Sequence, residues 1–303
     1  MKLSGLHLLL SYKCTLACDH CFVWGSPWQN GTLTLPAIRR ILQQAVELGT
    51  VSRICFEGGE PFLFYATLLQ AAQEAAGLGF KVGVVTNGFW ANTEEDALAN
   101  LEPFAGLIQD LTLSSDQFHS HQPQSELLSR QAAHASAAAR MLGIPVSMIS
   151  IALPEAAEAA AAVGQLPAGQ SKVMYRGRAA EKLSGRVTGV PWEEFTACPH
   201  ENLREPGRVH LDPLGYLHLC QGISPGNLFE TPLGEICAQY DPEAHPIAGP
   251  LLQGGPAGLV RRYGLAHAET YADACHLCYQ ARLALRPRFP QILAPDQMYG
   301  ING

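Results

Sequence analysis

Apolar and polar positions alternate between two rhythms along the first 175 residues. LHLLLSY (6–12) is a near-continuous apolar run of strand length. LPAIRRILQQAVELG (35–49) spaces its apolar residues along one helix face, with Thr34 placed as a cap and Gly49 as a stop. The pairing then repeats. VSRICF (51–56) precedes YATLLQAAQEAAGLG (65–79), KVGVVT (81–86) precedes EEDALANLEPF (94–104), and LIQDLTLS (107–114) precedes SELLSRQAAHASAAARMLG (125–143). PVSMISIAL (145–153) and the Ala-rich PEAAEAAAAVG (154–164) follow, and SKVMY (171–175) reads as a sixth strand. Such units predict a parallel sheet with helices outside. Six are too few to close an eight-fold barrel. The expected fold class is therefore α/β, a partial (βα)6 TIM-like barrel that binds ligands at the carboxyl ends of its strands.

The rhythm changes after RGRAAEKLSGRVTGVPW (176–192), where Gly, Pro and Arg mark a linker. RVHLDPLGYLHLCQG (208–222) reads as a hairpin around Asp-Pro-Leu-Gly, while TPLGEICAQY and TYADACHLCYQARLAL read as helices. The expected domains are a barrel over 1–180, a linker over 181–196 and a small α+β domain over 197–303. Its closing stretch LAPDQMYGING (293–303) either folds over the barrel mouth or frays.

Composition narrows the classes. With 47% hydrophobic and 16% charged residues the chain is globular. A net charge of −7 without a Lys/Arg block argues against nucleic acid as a partner. No run is long and apolar enough to span a bilayer, and the opening MKLSGLHLLLSYKC reads as a strand rather than a signal peptide, which points to the cytoplasm and no membrane partner. Nine cysteines, unevenly spaced, point to metal rather than a disulfide framework.

Three of them, Cys14, Cys18 and Cys21, crowd KCTLACDHCFVWG in the loop after the first strand. Three thiolates from one loop suit a soft metal centre, and a [4Fe–4S] cluster held by three keeps one iron open. C-x3-C-x2-C followed by an aromatic, FEGGEP after the second strand and VVTNG at the end of the third together resemble the radical S-adenosylmethionine (SAM) family. That resemblance implies that SAM chelates the open iron and that an external donor such as flavodoxin or ferredoxin reduces the cluster. SAM then splits to a 5′-deoxyadenosyl radical that abstracts hydrogen from the substrate. It also implies roles by position. Gly58, Gly59, Glu60 and Pro61 would receive the SAM ammonium, Phe22 would lie beside the adenine, and Asn87 belongs to the motif that ends the third strand. Ser114 and Asp116 would meet the ribose, and Arg176 the SAM carboxylate. Read alone, Gly-Gly-Glu-Pro and Asn-Gly are turn chemistry.

Cys198, Cys220, Cys275 and Cys278 form a second set, able to complete one tetrahedral or cubane site. With CQGISPGNLFETPLGEI they resemble the Twitch domain, a shortened relative of the SPASM domain, which implies one auxiliary [4Fe–4S] cluster. A zinc ribbon uses the same four thiolates and is the alternative. Cys55 and Cys237 read as packing residues. An oxidation also needs a base, and the candidates are Glu57, Asp116, His119 and His121, with His210 and His218 on the hairpin. The resulting expectation is a radical SAM oxidoreductase acting on a small metabolite. The alternatives are a maturase of a ribosomally made peptide and a non-catalytic electron-relay protein.

Overall fold

The structure is a computed structural model and describes residues 1–119, 125–163, 166 and 169–301. The chain divides into two compact units. One comprises Ser4–Cys18 and Gly25–Lys172; the other comprises Met1–Leu3, Asp19–Trp24 and Val173–Gly303. Among the described residues no helix is long and apolar enough to cross a membrane.

The first unit alternates strand and helix: β1 (Leu3–Leu9), α1 (Leu35–Leu48), β2 (Arg53–Glu57), α2 (Tyr65–Gly77), β3 (Lys81–Thr86), α3 (Glu94–Leu101), β4 (Ile108–Ser114), α4 (Ser125–Met141), β5 (Val146–Ile149) and α5 (Pro154–Val163). The five strands are parallel and lie side by side in sequence order. Leu9 pairs with Glu57, Thr86 with Leu113 and Ser114 with Ile149, so the carboxyl ends of the strands form one edge.

Local chemistry accounts for the helices. The Thr34 side chain accepts from Ala37 N, Pro36 sits in the first turn, and Gly49 closes α1 in the left-handed conformation (φ 72°). Ile38, Ile41, Leu42 and Ala45 form its buried face. α2 buries Leu68, Ala71, Ala72 and Ala75. The sixth strand read at 171–175 reduces to one parallel bridge, Ser171 to Ile151. From Val173 the chain belongs to the other unit.

The second unit carries α6 (Arg178–Lys182), β6 (Val190–Pro191), β7 (Gly207–Leu211), β8 (Leu217–His218), α7 (Leu233–Gln239), α8 (Ala248–Tyr263), β9 (Thr270–Tyr271) and α9 (Ala274–Leu285). β7 and β8 form the expected hairpin, with His210 opposite His218. Asp212 shapes its turn: Oδ1 accepts from Leu214 N and Tyr216 N, both at 2.9 Å. Its Oδ2 meets His218 Nε2 at 3.0 Å with both side chains fully buried, which makes His218 a partnered core residue. α8 is two helical pieces joined across a kink at Gly254 and Gly255.

Candidate functional site

In the first unit, glycines let the loop after β1 press against the end of β2. A Cβ on Gly58, at φ 146°, would lie 2.5 Å from the Ser11 carbonyl oxygen, and one on Gly59 would overlap that of Lys13. The same contact is hydrogen-bonded, Gly59 N to Ser11 O at 2.6 Å and Glu60 N to Lys13 O at 2.9 Å. Where the loop returns, a Cβ on Gly25 would meet the Gly59 Cα at 3.3 Å and the Cys14 Cβ at 3.6 Å, close packing without a clash.

Glu60 is fully buried. Its Oε1 accepts from Phe62 N at 3.0 Å and Thr86 Oγ1 at 2.7 Å, and its Oε2 from Asn87 N at 2.8 Å. The carboxylate read from sequence as a ligand group therefore ties the end of β2 to the end of β3. Pro61 opens the short turn that follows. Asn87 directs its side-chain amide to Thr15 Oγ1 (3.0 Å) and toward Cys14 Sγ (3.7 Å). An N–H pointing at a cysteine sulfur favours the thiolate and tunes a bound cluster. Cys14 and Cys18 are both buried.

The other strand-end candidates are engaged locally. Glu57 Oε1 lies 3.0 Å from His7 Nδ1. Asp116 accepts from Phe118 N (3.0 Å) and Ile151 N (3.2 Å), joining the loop after β4 to the chain after β5. Ser114 is the last residue of β4. The His119 side chain and His121 lie outside the described residues.

Cys21 belongs to the second unit. It opens a short arm, Cys21–Trp24, which packs against Gly177 and Arg178. Arg178 N donates to Cys21 O at 3.0 Å, and a Cβ on Gly177 would lie 2.7 Å from that oxygen. The Phe22 ring meets His210 edge-on at 5.6 Å and sits under the Arg176 guanidinium at 5.5 Å. Trp24 holds a left-handed backbone (φ 58°), a conformation that costs a residue with a side chain about 1–2 kcal/mol.

Cys198, Cys220, Cys275 and Cys278 line one cavity in this unit, together with Arg176 and Arg282. Cys275 and Cys278 occupy the first turns of α9, three residues apart and so on one face, with Asp273 capping the helix by accepting from His276 N at 2.7 Å. Cys220 ends the hairpin in a tight turn with Ile223. Cys198 follows Phe195–Ala197, which lies on Gly255, where a side chain would overlap the Ala197 amide; Ala257 N donates to Phe195 O at 3.0 Å.

Electrostatics set this cavity apart. Burial pushes the Cys278 thiol up to about 11, and burial also raises those of Cys275 and Cys198, so without a cation the thiolates are disfavoured. Arg176 Nη1 lies 3.2 Å from Cys220 Sγ and 3.4 Å from Glu201 Oε1. Burial opposes its charge, but the sulfurs of Cys220 and Cys275 and the Glu201 carboxylate outweigh it and hold the guanidinium protonated. Sequence position had put Arg176 at the SAM carboxylate. Its observed contacts, with Cys220 and Glu201, lie within the second unit, to which the chain from Val173 onward belongs. Arg282 is also buried and donates to the carbonyls of Gln221 and Cys278. Sequence reading missed Arg282 and Gly255; an arginine in the otherwise apolar face of QARLAL and the Gly-Gly-Pro inside α8 are the signals they left.

The parallel partial barrel thus carries thiols in its first loop and a glycine pair after its second strand, both at the strand ends where such folds bind ligands. Residues 8–156 match the family described as the Radical SAM superfamily, so this stretch of the chain is a radical SAM domain. A curated relative, "Putative peptide biosynthesis protein YydG" of Bacillus subtilis (strain 168), is 27% identical over 111 residues, which cover 36% of this chain and 35% of that protein. The match thus spans about a third of the relative's length. The fold resembles native anSMEcpe with bound AdoMet (TM-score 0.53, 13% identity, 94% of this chain and 98% of that one). It also resembles BtrN in complex with AdoMet and 2-DOIA (TM-score 0.51, 15% identity, 92% of each chain).

Proposed function

We propose that this enzyme uses SAM to oxidise a peptide substrate by two electrons, with Cys14, Cys18 and Cys21 holding the SAM-binding [4Fe–4S] cluster and Cys198, Cys220, Cys275 and Cys278 an auxiliary one. The observation that carries the reading is the convergence of four thiols from distant positions on one cavity flanked by two buried guanidiniums. The donor set fits: four sulfurs satisfy a cubane, and Arg176 and Arg282 offset the negative charge that four thiolates bring. When bound, the two clusters supply the electron that cleaves SAM and a place for the electron the substrate gives up.

The chain's own residues supply the setting. Asn87 presents an N–H to Cys14. Gly58 and Gly59 bring the backbone of the second strand end against the cysteine loop, leaving no side chain between them. Glu60 fixes that backbone through its three donors and is the candidate to add negative charge near the SAM ammonium. Phe22 offers an aromatic face for adenine, and Ser114 and Asp116 stand at the strand end proposed for the ribose. Glu57, Asp116 and His119 are the candidate bases for the substrate proton. Support for a peptide over a small metabolite comes from the sequence match to a protein named for peptide biosynthesis.

Reduced, reconstituted protein should convert SAM to 5′-deoxyadenosine, and deuterium from a labelled peptide should appear in that product. Transfer from a labelled sugar alcohol alone would overturn the substrate reading, and no 5′-deoxyadenosine at all would point to electron relay. Replacing Cys275 by alanine is expected to remove about four irons per chain. Unchanged iron with loss of zinc would show the set to be a ribbon. Arg176→Met, which keeps volume and removes the cation, should weaken metal retention at the second site by roughly 10- to 100-fold in chelator competition.

A further inference from the structure

The described residues after Leu293, 294–301, neither fray nor stand apart. Asp296–Tyr299 forms a single turn that buries Met298 and Tyr299, closed by Gly300 in the left-handed conformation. This turn is gripped on two sides, both within the second unit. On one side it is fastened to the turn that follows Cys220. Tyr299 OH donates to Gly222 O at 2.7 Å, Gln221 Nε2 donates to Met298 O at 2.6 Å, and the Tyr299 ring stacks on Tyr279, the residue after Cys278. Arg286 adds an ion pair with Asp296 and lies 4.7 Å over the Tyr299 ring. On the other side it holds the arm that begins at Cys21. Gln297 Nε2 donates to Val23 O at 3.0 Å and to Trp24 O at 3.3 Å, and Gly300 lies flat on the Trp24 indole, where a Cβ would come within 2.6 Å of the ring.

Trp24 is the one non-glycine residue with a positive φ among the described residues. A backbone held out of its preferred region needs surroundings that over-determine it. Here those surroundings are Arg178, 5.4 Å over the indole, together with Gln297 and Gly300.

We propose that the 296–300 turn is a positioning strap that fixes the Cys21–Trp24 arm, and with it the Cys21 sulfur, in the conformation that holds the SAM-binding cluster. This rests on the reading of Cys21 as a cluster thiolate, proposed above. Gln297 and Gly300 are positioning residues: they touch the arm, not the cofactor. The strap also makes the arm depend on the Cys220–Gly222 turn, because Tyr299 and Met298 are anchored there.

Two variants test it in reconstituted protein. Gln297→Ala removes both carbonyl contacts, and Gly300→Ala forces the strap off the indole. Each is expected to speed amide hydrogen exchange at Phe22–Gly25 by about five- to tenfold. Each should also raise the KM for SAM severalfold with kcat less affected, and should leave iron at the four-cysteine site unchanged. A purely structural strap would lower thermal stability without the shift in KM. Unchanged exchange at Phe22–Gly25 in both variants would overturn the proposal. So would faster exchange with an unaltered KM and an unaltered SAM-induced change in the cluster's paramagnetic resonance. Cys21→Ala separates the two readings: if it leaves the SAM-binding cluster intact, the cluster assignment fails, whatever the strap variants do.

Discussion

Replacing Cys18 by alanine is expected to abolish SAM cleavage while leaving the second cysteine set loaded. If Cys14, Cys18 and Cys21 hold the cubane as proposed, two thiolates would not retain it, and the open iron for SAM would be lost with it. The fall in 5′-deoxyadenosine formation should be roughly a thousandfold or more, about 4 kcal/mol of barrier. Chromatographic assay of 5′-deoxyadenosine beside iron analysis checks both halves. The two sets share no residue, so iron at the second site should persist. Cleavage at the wild-type rate would remove the basis for the cofactor assignment.

Gly59→Ala is the second large effect, and it acts through backbone rather than chemistry. The added methyl group would overlap the Lys13 carbonyl, a main-chain atom that cannot rotate away. Relief requires breaking the Gly59–Ser11 and Glu60–Lys13 hydrogen bonds that join the cysteine loop to the end of β2. The expected cost is about 3 kcal/mol, or a fall in melting temperature of about 6–12 °C for a unit of this size. Calorimetry should show it, with Gly49→Ala as a reference. Gly49 has left-handed backbone but nothing within 4 Å of a Cβ, so its alanine should cost only about 1 kcal/mol. Equal melting temperatures for the two variants would mean that the cysteine loop is not pressed on the glycine pair.

The contrast between these glycines also shows what a sequence reveals. Thr34, Pro36 and Gly49 act on neighbours three or four residues away, and the helix they bound was readable to its ends. The Asp-Pro-Leu-Gly hairpin was readable for the same reason. The motif around Glu60 could be located but its bonding could not. Its partners Thr86 and Asn87 lie 26 and 27 residues on, and only the β2–β3 pairing brings them near. Arg176 could be singled out by its place after an extended run, but its partners Glu201 and Cys220, 25 and 44 residues on, could not be read. α8 escaped notice because Gly254-Gly255-Pro256 reads as a breaker. The chain does break there, yet helix resumes at once, and the break is what admits the backbone beside Cys198.

The second unit is poor in regular pairing: β6, β8 and β9 are two residues long each. Its four cavity-lining sulfurs come from three stretches of chain, the outermost being Cys198 and Cys278. A metal group bound there would act as a staple, closing loops of tens of residues and removing disorder from the unfolded chain, as a crosslink does. Iron supply would then govern not only whether the enzyme turns over but whether this half of it keeps its shape, and a starved cell would hold a chain half folded and open to proteases.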